Sequence, residues 1–159
     1  MDPSIVILLI EDSPDDALLM QRAFKSQGIM RPPHVCRNGS EAISYLSGAG
    51  VYADRKTHPF PHVVITDLKM PGSDGFDVLR WLRDHPEFAV IPTIVWSSSA
   101  DARDVKKAYC LGANGYLCKP TDFQEFKEMV GEMFRFWDRC EKPVPDSPPT
   151  CEELGVKHR

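Results

Sequence analysis

"VVITDLKMPGSDGFDVL", residues 63–79, is the stretch that decides the fold. Its first four residues are apolar or β-branched, the fifth is a lone carboxylate, Asp67, and a turn rich in Pro and Gly follows. A strand that reads as a continuous apolar run is buried on both faces, so a charge has no place inside it. Asp67 therefore marks the strand's carboxyl end. Pro71, Gly72 and Gly75 turn the chain, and Asp74 stands where it can cap a following helix.

The same pattern recurs along the chain. "SIVILLI" (4–10), "HVVIT" (62–66), "TIVW" (93–96) and "GYLCK" (115–119) are short apolar runs, with "PHVCR" (33–37) a weaker one. Helical spacing separates them. After "IED", Ser13 and Asp16 form a capping-box pattern with Pro14 in the first turn, and Ala17, Met20, Ala23 and Phe24 make a stripe that ends at Gly28. Residues 39–47 (Ala42, Ile43, Leu46), 75–84 (Phe76, Leu79, Leu82) and 100–111 (Ala102, Val105, Ala108) repeat it. The last helix opens on a Thr121/Gln124 capping pattern and carries Phe126, Val130, Met133 and Trp137 on one face. Five strands alternating with five helices predict an α/β fold, a doubly wound five-stranded parallel sheet. Its site is expected beyond the carboxyl ends of the strands.

A chain of 159 residues suits one domain with a single core. No apolar run approaches the roughly 20 residues needed to cross a bilayer. Acids follow "IVILLI" at once and no basic leader precedes it, so a cytoplasmic location without a membrane partner is expected. Nineteen Lys and Arg against 23 Asp and Glu give a net charge of −4, which argues against direct nucleic-acid binding. Cys36, Cys110, Cys118, Cys140 and Cys151 never occur as C-x-x-C and are expected to be reduced packing thiols. His34, His58, His62, His85 and His158 form no pair at metal-binding spacing.

One edge of the predicted sheet collects the chemistry. Glu11 and Asp12 follow the first strand, Asp67 the third and Ser97 the fourth, and Lys119 ends the fifth. Three carboxylates brought together repel one another unless a hard cation lies among them, so a divalent metal, foremost Mg²⁺, is implied.

In this order, "IEDSPDD" (10–16), "DLKMPGSDG" (67–75), "SSS" (97–99) and "KP" (119–120) resemble the receiver domain of two-component response regulators. The likeness spans residues 4 to about 137, giving a receiver domain over 1–137 and a proline-rich tail over 138–159 without an output domain. The insertion "GAGVYADRKTHPFPHVVITD" (48–67) and the aromatic end of the last helix are similar to the single-domain regulators that partner bacterial phytochromes. The resemblance implies a flavodoxin-like receiver fold and a sensor histidine kinase, phytochrome-type in the narrower likeness, as phosphodonor. Asp67 would be the phosphoacceptor. Mg²⁺ would be held by Asp12, Asp67 and the backbone carbonyl of Lys69, with Glu11 acting through water. Lys119 and Ser97 would contact the phosphoryl oxygens, Ser97 and Tyr116 would form the switch, and Lys119–Pro120 would be a cis peptide.

Some residues depart from the family's usual pattern. Glu11 replaces a common aspartate, Ser97 stands where threonine is also common, and Lys69 is unusual two residues after the phosphoacceptor. The Lys69 ammonium either lies near the phosphoryl group or points into solvent. Two rival functions use similar parts. A haloacid dehalogenase-like phosphatase would carry a second aspartate where Lys69 stands, and a flavodoxin-like cofactor binder would need a phosphate loop where "EDSPDD" lies. The protein is thus expected to signal rather than turn over substrate, by reshaping the surface of the 100–111 helix, the fifth strand and the last helix. Phe123, Phe134 and Phe136 lie outside the predicted buried stripe, which points to a homodimer through that surface; the alternative is that they fold under the tail of a monomer.

Overall fold

The structure, a computed structural model, describes residues 5–143. Five strands, β1 (Ile7–Ile10), β2 (His34–Cys36), β3 (Val63–Thr66), β4 (Thr93–Ser97) and β5 (Gly115–Cys118), form one parallel sheet in the order β2-β1-β3-β4-β5. The helices are α1 (Pro14–Ser26), α2 (Gly39–Ser47), α3 (Gly75–Asp84), α4 (Pro86–Ala89), α5 (Ala102–Cys110) and α6 (Phe123–Arg139). The doubly wound prediction holds with one helix added. A four-residue helix such as α4 is too short to show a periodic stripe, and its opening Pro86 is the only signal it leaves. A 3₁₀ turn, Gly50–Ala53, lies in the insertion.

Strand residues alternate between two covered faces. Ile7, Leu9, Ile65, Ile94 and Trp96 pack with Phe24 of α1 and with Phe126, Val130 and Phe134 of α6. Leu8, Ile10 and Val64 meet Tyr45, Leu46, Val78 and Leu82 of α2 and α3 on the other side. Val95 joins Leu68, Leu79 and Ala108 under α3 and α5. Burial of both faces is why β1, β3 and β4 carry unbroken apolar runs. The edge strand β5 departs from this, with three half-buried residues and an exposed Cys118.

Several expectations are corrected in detail. Helix α6 is capped by Asp122, which accepts the Glu125 N–H, so Thr121 lies outside the cap. Its buried stripe is Phe126, Val130 and Phe134, four residues apart, while Met133 and Trp137 are half-buried. Phe134 meets Phe24 edge to face at 5.1 Å, a contact with α1 that the helical period alone does not dictate. In α5 only Ala108 is buried. In α2 the core position goes to Tyr45, whose hydroxyl donates to the Pro59 carbonyl at 2.8 Å, and not to Ile43. The Lys119–Pro120 peptide is trans, the isomer an X–Pro bond favours by about 0.5–1 kcal/mol. Ser4, Cys151, His158 and the tail beyond Pro143 lie outside the described residues.

The insertion is fastened to the domain. Arg55 donates to the Tyr45 and Leu46 carbonyls at 2.7 Å each, satisfying the open end of α2, and its guanidinium lies 4.0 Å over Phe60. Tyr52 and His58 pack against the Tyr45 ring at 5.2 and 5.9 Å. His34 and His58, distant in sequence, come within 6.3 Å.

Candidate functional site

The carboxyl edge of the sheet is built by continuing the strand ladders one residue further. Asp67 N–H donates to the Ile10 carbonyl at 2.9 Å, Glu11 N–H to Cys36 at 2.9 Å, and Lys119 N–H to Ser97 at 2.8 Å. Each side chain is thereby fixed in register beside its neighbours. A Cβ at residue 75 would collide with the Asp67 carbonyl, so only glycine lets α3 start this close to the end of β3. Asp74 and Asp77 then form a reciprocal capping box that fixes that start.

Four of the predicted site residues, Glu11, Asp12, Asp67 and Lys119, lie together, while the contacts of Ser97 and Tyr116 run to Ser99 and that of the Lys69 ammonium to Asp104. Lys119 Nζ lies 2.8 Å from Glu11 Oε2 and 3.0 Å from Asp67 Oδ2, and it sits 4.5 Å over the Trp96 ring. Asp67 is 7% exposed, and its second oxygen, Oδ1, accepts the Leu68 N–H at 2.7 Å. Glu11 is 2% exposed, and Oε1 accepts the Ser13 N–H at 3.1 Å. Burial pushes the Glu11 carboxyl up to about 7 against the pull of Lys119 and the Ser13 N–H. Burial alone would lower the Lys119 ammonium, but its hydrogen bonds to Asp16, Glu11 and Asp67 reverse this and hold it above its ordinary value. The two shifts pull against each other, since a neutral Glu11 would support Lys119 less. Burial dominates at Glu11, because almost none of its side chain meets water.

Glu11, Asp12 and Asp67 offer carboxylate oxygens within 4.8 Å of one another. Hard oxygen donors at this separation suit Mg²⁺ or a similar divalent ion. Both Glu11 oxygens already have protein partners, so Glu11 fits a role through water better than direct ligation. Beside Glu11 and Asp12 a groove of about 410 Å³, lined also by Pro14, Leu18 and Arg37, opens to solvent.

Three neighbours of the site were not evident in the sequence. Asp16 accepts from Lys119 at 2.7 Å. The capping-box pattern holds in part, since Ser13 accepts the Asp16 N–H, but the Asp16 carboxylate turns to the lysine. Ser99 donates its hydroxyl to Asp104 at 2.7 Å, and Asp104 also lies 3.7 Å from Lys69, whose side chain is otherwise largely exposed. Ser97 is fully buried and its Oγ accepts the Ser99 N–H at 3.2 Å, while the Tyr116 hydroxyl donates to the Ser99 carbonyl at 2.8 Å. Cys36, Cys110, Cys118 and Cys140 are free thiols.

Comparison with known proteins agrees with this geometry. The family model of the response regulator receiver domain matches residues 7–131. The chain is 33% identical over 136 residues to response regulator Rcp1 of Synechocystis sp., covering 86% of this chain and 90% of that one. It superposes on the Mn²⁺-bound form of Rcp1 with a TM-score of 0.78 at 32% identity, covering 88% and 99% of the two chains. The phosphorylated cyanobacterial phytochrome response regulator RcpA superposes with a TM-score of 0.81 at 29% identity and the same coverage. A five-stranded parallel sheet whose carboxyl edge gathers Glu11, Asp12, Asp67 and Lys119 thus has both the sequence and the shape of a signalling receiver, and the chain belongs to the response regulator receiver domain family.

Proposed function

We propose that the chain is a single-domain switch, a receiver over 1–137 followed by a tail, that takes a phosphoryl group onto Asp67 in a Mg²⁺-dependent reaction. The observation that carries this reading is the buried Asp67 carboxylate with an ammonium at 3.0 Å and two further carboxylates beside it. In the transfer, an Asp67 oxygen forms a new bond to phosphorus as the N–P bond of a phosphohistidine breaks. The electron pair and a solvent proton end on the leaving imidazole. Leu68 N–H holds Oδ1 and thereby orients the carboxylate. Lys119 meets the charge that develops on the phosphoryl oxygens, and Ser97 offers its hydroxyl to one of them. Asp12, Asp67 and the Lys69 carbonyl are the residues that would hold Mg²⁺, with Glu11 behind a water. When bound, the ion supplies the positive charge that lets an anionic phosphoryl group share the site with carboxylates.

The donor is a sensor histidine kinase. A phytochrome-type kinase is favoured by the likeness to Rcp1 and RcpA and by the insertion at 48–67. The location is cytoplasmic, in keeping with the finding that no helix among the described residues is long and apolar enough to cross a membrane. Lys69, paired with Asp104, leaves no acid in the position that a phosphatase of the dehalogenase type needs. Output runs through the α5–β5–α6 face, where Tyr109, Phe123 and Phe136 are exposed and a groove of about 280 Å³ lies between β5 and α6. A second copy of the chain is the proposed occupant of that face.

Intact mass after incubation with acetyl phosphate and Mg²⁺ tests the chemistry. One phosphoryl group is expected on the parent and none on Asp67→Asn or in EDTA; labelling of Asp67→Asn would overturn the assignment. Sedimentation with and without beryllofluoride and Mg²⁺ tests the pairing, and a monomer under both conditions would reject it.

A further inference from the structure

An ammonium has three N–H donors, and Lys119 has spent all of them on protein carboxylates: Glu11 at 2.8 Å, Asp16 at 2.7 Å and Asp67 at 3.0 Å. A phosphoryl oxygen can therefore be met by Lys119 only if one of these partners lets go. The three are not equal in the cost of release. The Glu11 side chain is 1% exposed and that of Asp67 9%, so while the phosphoryl group approaches and Asp67 is still a free carboxylate neither is readily rehydrated, and an unpaired buried carboxylate is costly. Asp16 is 35% exposed at the first turn of α1, where water can replace the lost hydrogen bond.

We propose that Asp16 is a positioning residue that restrains Lys119 in the resting protein and competes with the incoming phosphoryl oxygen for its third N–H. The inference rests on the proposed role of Asp67 and adds a residue to it. Asp16 has no place in the Mg²⁺ set, because its oxygens are not among those that gather with Glu11, Asp12 and Asp67. Its carboxylate acts through the lysine in two ways of the same sign. It occupies a donor, and its negative charge opposes an anion arriving at the site. Replacing it by asparagine removes the charge and leaves that N–H only a weaker, neutral acceptor from which a phosphoryl oxygen can take it.

The test is the affinity of beryllofluoride, a phosphoryl mimic, for the full-length protein in saturating Mg²⁺, read from the fluorescence of Trp96, which lies under Lys119. Asp16→Asn is expected to tighten beryllofluoride by at least about fivefold, a fraction of what one hydrogen bond to a charged group is worth. Asp15→Asn, one residue away in the same first turn and with the same loss of charge, is expected to change it less than about twofold. Asp16→Glu is expected to restore the parent affinity, which a purely structural role at the α1 terminus would not require. Titration with Mg²⁺ alone separates a metal-ligand role, since Asp16→Asn should leave that affinity within about threefold. Unchanged or weaker beryllofluoride binding in Asp16→Asn overturns the proposal, as does an equal gain in Asp15→Asn. If the parent itself fails to bind beryllofluoride, the phosphoacceptor reading fails first.

Discussion

Replacing the ionisable carboxyl of Glu11 should remove a pH dependence that the wild-type site builds in. In EDTA, burial lifts the Glu11 carboxyl from 4.5 to about 7. Between those values the folded protein keeps a proton that the unfolded chain has released. The contribution of Glu11 to stability is therefore complete below about pH 4.5 and is lost as pH rises through about 7. At about 1.4 kcal/mol for each tenfold change in proton affinity, the loss reaches about 3 kcal/mol at most. Lys119 adds no slope in this window, because its folded value is raised from 10.5 and its contribution persists until pH rises past that value. Glu11→Gln isolates the effect, since glutamine resembles the protonated acid at every pH and the other carboxylates cancel in the comparison. Urea unfolding in EDTA should find the variant near the parent at acid pH and ahead of it by up to about 3 kcal/mol near pH 7.5. A flat difference, or one of opposite slope, would show that the ammonium at 2.8 Å compensates burial in full and would refute the reasoning.

Gly75→Ala should cost about 1–3 kcal/mol in urea unfolding and slow labelling by acetyl phosphate, because the new methyl drives into the Asp67 carbonyl; parent-like values for both would dismiss the contact. Phe134→Ala should destabilise by about 3–5 kcal/mol whereas Phe136→Ala, on the solvent side of the same helix, stays within about 0.5, and equal costs would return the stripe to the sequence-based one. Alkylation of the native protein near pH 8, followed by peptide mapping, should modify Cys110 and Cys118 and spare Cys36. Burial both closes off Cys36 and pushes its thiol up to about 12, so its modification at the rate of the exposed pair would contradict the packing.

The parts of the site that were legible in the sequence share one property: each sits immediately after an apolar run, so strand direction alone places it. Glu11, Asp12, Asp67, Ser97 and Lys119 are all of this kind. Asp16 is not. The capping pattern places its backbone in the first turn of α1, but its carboxylate can serve the helix terminus or a distant cation, and that choice depends on a lysine 103 residues away. The same limit applies to α6. Met133 and Phe134 are adjacent and both apolar, and helical period cannot choose between them; the ring of Phe24 does. In the insertion, nothing in the composition marks Arg55, which spends its guanidinium on the open carbonyls of α2. Side chains that satisfy distant backbone groups leave no periodic trace.

One loop joins the site to the face proposed for output, and its hydrogen bonds decide which contact governs the coupling. Ser99 is the crossing point: its N–H reaches Ser97 Oγ, its hydroxyl reaches Asp104, and its carbonyl receives the Tyr116 hydroxyl. If Ser97 turns its hydroxyl toward a phosphoryl group on Asp67, it forfeits both the bond from Ser99 N–H at 3.2 Å and its hydrogen bond with the Tyr116 hydroxyl. Tyr116 then loses its direct contact with Ser97 and keeps the Ser99 carbonyl, whose own residue has lost an anchor. Lys69 touches the same network through Asp104 at 3.7 Å, but with 69% of its side chain exposed the pair contributes about 0–1 kcal/mol. The hydrogen bond from Ser99 to the Asp104 carboxylate, at 2.7 Å and half-buried, belongs to the class worth about 1.5–3 kcal/mol. Asp104 therefore holds the loop mainly through Ser99, and this anchor lies on α5, the helix that forms one side of the proposed output face.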